Sequence, residues 1–155
     1  MKALPKISII IVSYNVKELL LACVESIYKS NYESIEIIVV DNQSKDDSIS
    51  TLKAKYSDII TIENDFNAGF SGANNQGMEI ATGEWIYLLN PDTEIYPDSI
   101  EKLFDQIETH PEAVLFAPQL LNADLSLQIS AWKNHRVIDL VAETFFVHLL
   151  HNRLY

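Results

Sequence analysis

The sequence predicts an α/β protein: a three-layer α/β/α arrangement around a mostly parallel central sheet. Three observations carry this. Residues 7–12 (ISIIIV) and 35–40 (IEIIVV) are short, largely β-branched runs that lack the alternation of a half-wetted strand, the pattern of strands covered on both faces. Each run is followed by apolar residues at helical spacing, and alternating strands and helices imply right-handed crossovers between parallel neighbours. Finally, polar clusters follow three of the strand runs: Ser13-Tyr14-Asn15, Asp41-Asn42-Gln43-Ser44 and Asn90-Pro91-Asp92. Such ends can gather around one crevice at the carboxyl side of the sheet, where open α/β sheets bind ligands.

In chain order, Asn15 and Glu18 stand three apart, as in a capping box. Leu19, Cys23 and Ile27 then recur with Leu20, Val24 and Tyr28 beside them, so an amphipathic helix runs to near Asn31. After the second strand, Ser44 is placed to cap another helix, with Asp46 and Asp47 in its favourable first turn and Ile49, Leu52 and Tyr56 as its buried face. Residues 59–62 form a shorter third strand. A loop over 64–72 leads to a helix over 73–81, which Gly83 ends before a fourth strand begins at Trp85. Pro97 and Asp98 open a further helix with Ile100, Leu103, Phe104 and Ile107 on one face, closed by His110-Pro111. Residues 114–117 read as a fifth strand, 127–130 as an edge strand, and 137–150 as a helix with Ile138, Val141, Phe145 and Leu149 on one side.

That last apolar stripe calls for something to pack on, either a further portion of the chain or a second copy in a homodimer. Peripheral association with a membrane is the weaker option: Lys133 and Arg136 precede the stripe, but Asp139 and Glu143 lie within it. The 155 residues fit a single domain, and 48% hydrophobic with 21% charged residues is globular rather than disordered composition. A net charge of −11 without a Lys/Arg cluster excludes nucleic acid as a partner, because duplex binding is built on phosphate neutralisation. Cys23 stands alone, so neither an internal disulfide nor a cysteine-based zinc site is available, and its apolar helix face marks a buried structural thiol. The N-terminal apolar run is too short to span a membrane and has no small-residue cleavage site. A reducing, cytoplasmic location is therefore expected.

The chemistry concentrates at residues 85–94, WIYLLNPDTE. Pro91 cannot donate to a continuing ladder, so Asp92 and Glu94 project from the strand end beside a Thr hydroxyl and an Asn amide, an all-oxygen set suited to Mg2+ or Mn2+. A type I turn accounts for the same residues. The surroundings favour the metal: between Lys55 and Lys102 there is no Lys or Arg, while Asp58, Glu63, Asp65, Glu79, Glu84, Asp92, Glu94, Asp98 and Glu101 all fall there. A phosphorylated ligand at this edge would meet repulsion of about 1 kcal/mol per contact at ~4 Å in water, and about 4 at an effective dielectric of 20. A divalent cation would offset it.

Tyr14 offers a face on which a base could stack, and Asp41 an acceptor for the imide N–H of uracil or thymine. The plainer alternatives are that Asn15 and Ser44 cap helices and Asp41 merely ends a strand. Residues 67–77 are neither a G-x-G-x-x-G fingerprint nor a P-loop, but their glycines and the following helix start leave some anion-binding potential. The missing glycine fingerprint after the first strand disfavours a dinucleotide-dependent oxidoreductase. No nucleophile elbow, H-E-x-x-H or Cys/His ligand set occurs, and no histidine is assigned a catalytic role.

Four segments, ISIIIVSYN, IEIIVVDNQSKDDS, NAGFSGANNQGM and WIYLLNPDTEIYPDSI, in this order and at these separations, resemble the inverting family-2 glycosyltransferases of the GT-A fold, over about residues 7–132. The N-P-D-T-E variant is similar to the rhamnosyltransferase-like branch. The resemblance implies that Asp92 contacts the metal, with Asn90 departing from the strict D-x-D pattern. It further implies that Ser13, Tyr14 and Asp41 hold the nucleobase and ribose and that Asn67 and Asn74 lie near the donor, with Asn15 and Asn90 also counted among the donor-binding residues. The segment Gln128-Ile129-Ser130-Ala131-Trp132 resembles the Q-x-S-x-W/R piece that follows the donor half. The implied reaction moves a sugar with inversion from a nucleotide-diphospho-sugar, of dTDP-rhamnose or UDP-sugar type, to a hydroxyl of a saccharide or lipid-linked saccharide. Its setting would be the building of surface polysaccharide at the inner face of the membrane. The general base of the family lies well downstream in the acceptor half, and Asp124, Asp139 and Glu143 do not match it, so it is expected beyond Tyr155. The alternative is a non-catalytic module on the same fold that holds a nucleotide sugar or docks a partner.

Overall fold

A computed structural model describes residues 4–130. The chain divides into two compact units, Met1–Phe116 and Ala117–Tyr155. Among the described residues, the first contains every regular element: β1 (Ile7–Ser13), α1 (Lys17–Tyr28), β2 (Ile35–Asp41), α2 (Ser48–Lys55), β3 (Ile60–Glu63), α3 (Gly69–Ile80), β4 (Trp85–Leu89) and α4 (Ser99–Thr109). The four strands form one sheet in the order β3-β2-β1-β4, every pair parallel. All carboxyl ends therefore point the same way.

Side-chain alternation sorts the core into two faces. Ile7, Ile9, Ile11, Ile37, Val39 and Leu89 meet α1 (Leu20, Cys23, Val24, Ile27), α2 (Ile49, Leu52) and α4 (Ile100) on one side. On the other, Ile10, Ile38 and Val40 meet Ala73 of α3. The expected three layers are present, and each fully buried Ile or Leu contributes about 1.5–3 kcal/mol through lost water contact. Close approach of α3 depends on Gly77, where a Cβ would lie 2.6 Å from Ile10 Cγ2.

Several local expectations are corrected. The buried stripe of α1 is Leu20-Cys23-Val24-Ile27, and Leu19 is exposed. The helix ends at Tyr28, whose ring stacks on Tyr56 at 4.4 Å and whose hydroxyl donates to Asp58 (2.6 Å). Helix α3 begins at Gly69, earlier than the expected residue 73. Gly69 adopts φ +72°, a turn that costs glycine little, and Asn67 Oδ1 accepts its N–H (2.9 Å). Neither Asn15 nor Ser44 caps a helix: the N-caps are Val16 and Asp47, without side-chain cap bonds. The fifth strand is absent. Residues 114–116 find no ladder partner, and Val114 and Leu115 are 92% and 86% exposed, because β-propensity makes no strand without a neighbour.

In the second unit, residues 120–128 fold back on themselves around a turn in which Leu125 takes φ +66°. Asn122 N–H donates to Ser126 O (2.9 Å) and Gln128 N–H to Leu120 O (3.0 Å). The edge strand expected at 127–130 reduces to one antiparallel bridge, Leu121 to Leu127. The helix expected at 137–150 lies outside the described residues, among which no helix is long and apolar enough to cross a membrane.

Candidate functional site

Strands β2, β1 and β4 are adjacent, so the polar segments after them lie side by side at one edge of the sheet. Ser13 and Asp41 are direct partners in the β1–β2 register. Asp41 is 5% exposed, and its carboxylate accepts from Ser44 N–H (2.8 Å) and from the Ser44 hydroxyl. Ser13 is fully buried, and its hydroxyl has no hydrogen-bond partner among the described residues. Tyr14, next along, is 50% exposed.

The two loops are stitched together by the residues first read as caps. Asn15 N–H donates to Ser44 Oγ (2.9 Å), and Asn15 Oδ1 accepts from Lys45 N–H (2.7 Å). Asn15 and Gln43 both adopt positive φ, 53° and 68°. Asn enters that region readily and Gln does not, and such backbone strain concentrates where function demands a particular loop shape. The Ser44 contact illustrates what sequence reasoning missed: Asp followed by Ser three residues later is the spacing of a local side-chain clamp as well as of a helix cap.

A second set of contacts places the start of α3. Buried Asn42 accepts from Ala68 N–H (3.3 Å) and Asn64 Nδ2 (3.1 Å) and donates to Gly69 O (3.2 Å). Asn64 and Gln76 exchange two amide bonds, at 2.8 and 3.1 Å. This three-amide relay holds residues 67–69 against the end of β2, which brings exposed Asn67 beside the Asp41 loop. Asn74 is placed differently: it is buried in α3 and donates to Phe70 O of its own helix (2.9 Å). Nothing in the sequence beyond a run of amides signalled the relay.

After β4, Thr93 N–H donates to Asn90 O (3.1 Å), closing a turn from which Asp92 and Glu94 both emerge exposed. Turn and projecting carboxylates, set against each other in the sequence, coexist. Beneath the turn, Cys23 Sγ contacts Asn90 O (3.6 Å), and burial, reinforced by the negative charges of Asp92 and Glu94, pushes the thiol up to about 12. Its burial is that expected of a structural thiol. No cluster of three His, Cys, Asp or Glu ligands exists among the described residues. The exposed carboxylates of Asp92 and Glu94 are oxygen donors of the kind a hard cation takes together with ligand phosphates. Lys17 at the start of α1 is paired with Asp47 (2.8 Å), which raises its pKa.

A parallel α/β sheet with polar loops at three neighbouring carboxyl ends is an open α/β fold with its polar loops where such sheets bind ligands. The model of Glycosyl transferase family 2 matches residues 8–134, and the chain belongs to that family. It is 38% identical over 112 residues to the Escherichia coli UDP-Glc:alpha-D-GlcNAc-diphosphoundecaprenol beta-1,3-glucosyltransferase WfaP, covering 72% of this chain and 44% of that one. It is 35% identical over 106 residues to a poly(ribitol-phosphate) beta-glucosyltransferase of Bacillus spizizenii, covering 64% of this chain and 17% of that enzyme. The chain thus spans less than half the length of these relatives. Among solved structures, a Pyrobaculum calidifontis mannosyltransferase in complex with GDP-Man and Mn2+ shares the fold at a TM-score of 0.63, with 23% identity over 68% of this chain and 33% of that one. Staphylococcus aureus TarS in complex with UDP-GlcNAc does so at 0.63, with 22% identity over 68% and 32%.

Proposed function

We propose that this chain is the donor-binding portion of a glycosyltransferase that takes a nucleotide-diphospho-sugar with a pyrimidine base, of UDP-sugar or dTDP-rhamnose type, and transfers the sugar to an acceptor hydroxyl with inversion. The observation that carries the reading is that buried Asp41, oriented by Ser44, ends β2 opposite Ser13 of β1, which the half-exposed Tyr14 directly follows. The ring supplies a stacking platform and the carboxylate an acceptor for a base N–H. Ser13, whose hydroxyl is unpartnered, and Asn15 belong to the same end of the site; Asn67, Asn74 and Asn90 are proposed to border the rest of the donor.

Asp92 is proposed to hold Mg2+ or Mn2+ jointly with the donor's diphosphate, with Asn90 beside it. Such a cation would stabilise charge on the departing diphosphate. What supports this is the chemistry of the donor set, oxygen atoms only, in a stretch without one Lys or Arg from residue 56 to 101. The chain's own residues bind the base, shape the loop edge and present the carboxylates. In the displacement, the bond from the acceptor oxygen to the anomeric carbon forms as the bond to the diphosphate oxygen breaks, and a general base takes the hydroxyl proton. No described residue is assigned that role, and the base is proposed to lie in the acceptor half of the complete enzyme. A saccharide or lipid-linked saccharide acceptor, work on surface polysaccharide, and a cytoplasmic site at the inner membrane face belong to the same proposal. The family relationship to enzymes named for such substrates supports it.

Calorimetry of the chain against UDP, dTDP and GDP, each with Mn2+ and then with EDTA, tests the reading. Metal-dependent binding that ranks a pyrimidine diphosphate first, and that disappears in Asp92→Ala, is expected. Binding indifferent to both the metal and Asp92 would remove the metal assignment, and a preference for GDP would remove the base assignment.

A further inference from the structure

Helix α1 grips the segment that carries Asp92 and Glu94 at several points. Cys23 Sγ contacts Asn90 O (3.6 Å), the same carbonyl that closes the turn by accepting Thr93 N–H (3.1 Å). One turn along the same helix face, Ser26 Oγ accepts Ile95 N–H (3.0 Å) and donates to Cys23 O (2.7 Å). Past the end of α1, Asn31 N–H donates to Pro97 O (2.9 Å). Ser26 and Ile95 are buried, at 6% and 9% exposure, so water cannot replace their bond, while Asp92 and Glu94 between the anchors are exposed. The Ser26 hydroxyl is saturated on both sides. It spans helix carbonyl and loop amide and fixes how far residue 95 stands from the turn at Asn90.

We infer that Ser26 is a positioning residue for the carboxylate of Asp92: its hydroxyl, with the Cys23 contact, sets the span of the loop that presents Asp92 to a divalent cation. This rests on the metal reading of Asp92 above. Groups that orient ligands from behind are worth about 10- to 100-fold in metal affinity in characterised sites.

The test titrates Mn2+ into the 155-residue chain with UDP present and follows free Mn2+ by electron paramagnetic resonance, alongside UDP affinity in EDTA and thermal unfolding. Ser26→Ala is expected to raise the Mn2+ Kd about tenfold. UDP affinity in EDTA should stay unchanged, and Ser26→Thr, which keeps the hydroxyl, should bind Mn2+ near the parent value. Parent-like Mn2+ binding in Ser26→Ala, with loss in Asp92→Ala, would overturn the inference and leave the metal site standing. Parent-like binding in Asp92→Ala would remove the metal reading and this inference with it. An equal fall in Mn2+ and EDTA-condition UDP affinities would also overturn it, by making Ser26 merely structural. If Ser26→Ala does not fold, Cys23→Ala loosens the other anchor, and a parent-like Mn2+ Kd there counts against the inference.

Discussion

Ser13 and Asp41 face each other across β1 and β2, both buried; Ser44 donates twice to the carboxylate and leaves it further acceptor capacity, while the neighbouring hydroxyl has no partner among the described residues. A buried hydroxyl left unpaired costs about 1–3 kcal/mol, and the proposed base site gives that of Ser13 a use. Asp41→Asn is expected to weaken UDP or dTDP binding by about tenfold or more, since hydrogen bonds to charged groups carry about 1.5–3 kcal/mol. Ser44→Ala, which frees the carboxylate to swing, should show a smaller loss. Asp46 is a poor control because it accepts from Ser48 and Lys17; exposed Asp105→Asn serves instead, and equal losses at 41 and 105 would refute the assignment.

The amide relay makes a separate claim about the start of α3. Asn42→Ala strips the acceptor from Ala68 N–H and Asn64 Nδ2 and the donor from Gly69 O. Global stability should fall by about 1–3 kcal/mol, the cost of buried groups left unpaired. Amide exchange at Ala68 should accelerate more than in the middle of β1. Uniform acceleration would mean that Asn42 supports the whole fold and not this loop in particular.

At the opposite end of the sheet, Glu36 accepts from Ser8 Oγ (2.6 Å), Thr82 N–H (2.9 Å), Lys6 Nζ (2.9 Å) and Thr82 Oγ1 (2.8 Å). Burial pushes its carboxyl up, but the donors, Ser8 foremost, outweigh that and hold it down at about 2. A depressed carboxyl stabilises the fold above its ordinary range near 4.5, and that stability is lost as pH falls from there towards 2. With the side chain 10% exposed, the full shift corresponds to about 3 kcal/mol as an upper figure. Denaturant midpoints between pH 6 and pH 2.5 should drop steeply in the parent and be flatter in Glu36→Gln. Parallel curves would deny Glu36 its share of the acid sensitivity.

How legible this was from the sequence differs by residue. The strands at 7–13 and 35–41 and the burial of Cys23 follow from local composition, because β-branched runs and helical spacing encode burial directly. The placement of Asn15 and Ser44 did not. Each is a sound cap by local chemistry, and each is instead drawn into a contact between loops about thirty residues apart, a competition that only tertiary packing decides. Residues 114–117 failed for the complementary reason: a strand is a pairing, and the partner is not written in its own residues. Asp92 was visible as chemistry, but the support beneath it, Ser26, looks in sequence like any serine on a helix.

Two glycines give the sharpest test of the packing. A Cβ at Gly83 would stand 2.5 Å from Ser8 N and 2.8 Å from Ser8 Oγ, the hydroxyl that itself accepts Gly83 N–H. Backbone of a central strand cannot retreat without breaking its ladder, and the displaced hydroxyl is also a donor to Glu36. At Gly77 the obstacle is Ile10 Cγ2, at 2.6 Å, a side-chain atom at the fixed root of a branched residue. Overpacking of this kind costs about 1–3 kcal/mol, and Gly77→Ala is expected within that range because α3 can shift outward slightly. Gly83→Ala should exceed it and should also shrink the pH dependence assigned to Glu36, since Ser8 is common to both. Thermal or chemical denaturation of the two variants at pH 7 and at pH 3 measures both effects. A Gly83→Ala variant as stable as the parent, or one whose acid sensitivity is intact, would show that the Ser8 cluster yields more readily than its distances imply.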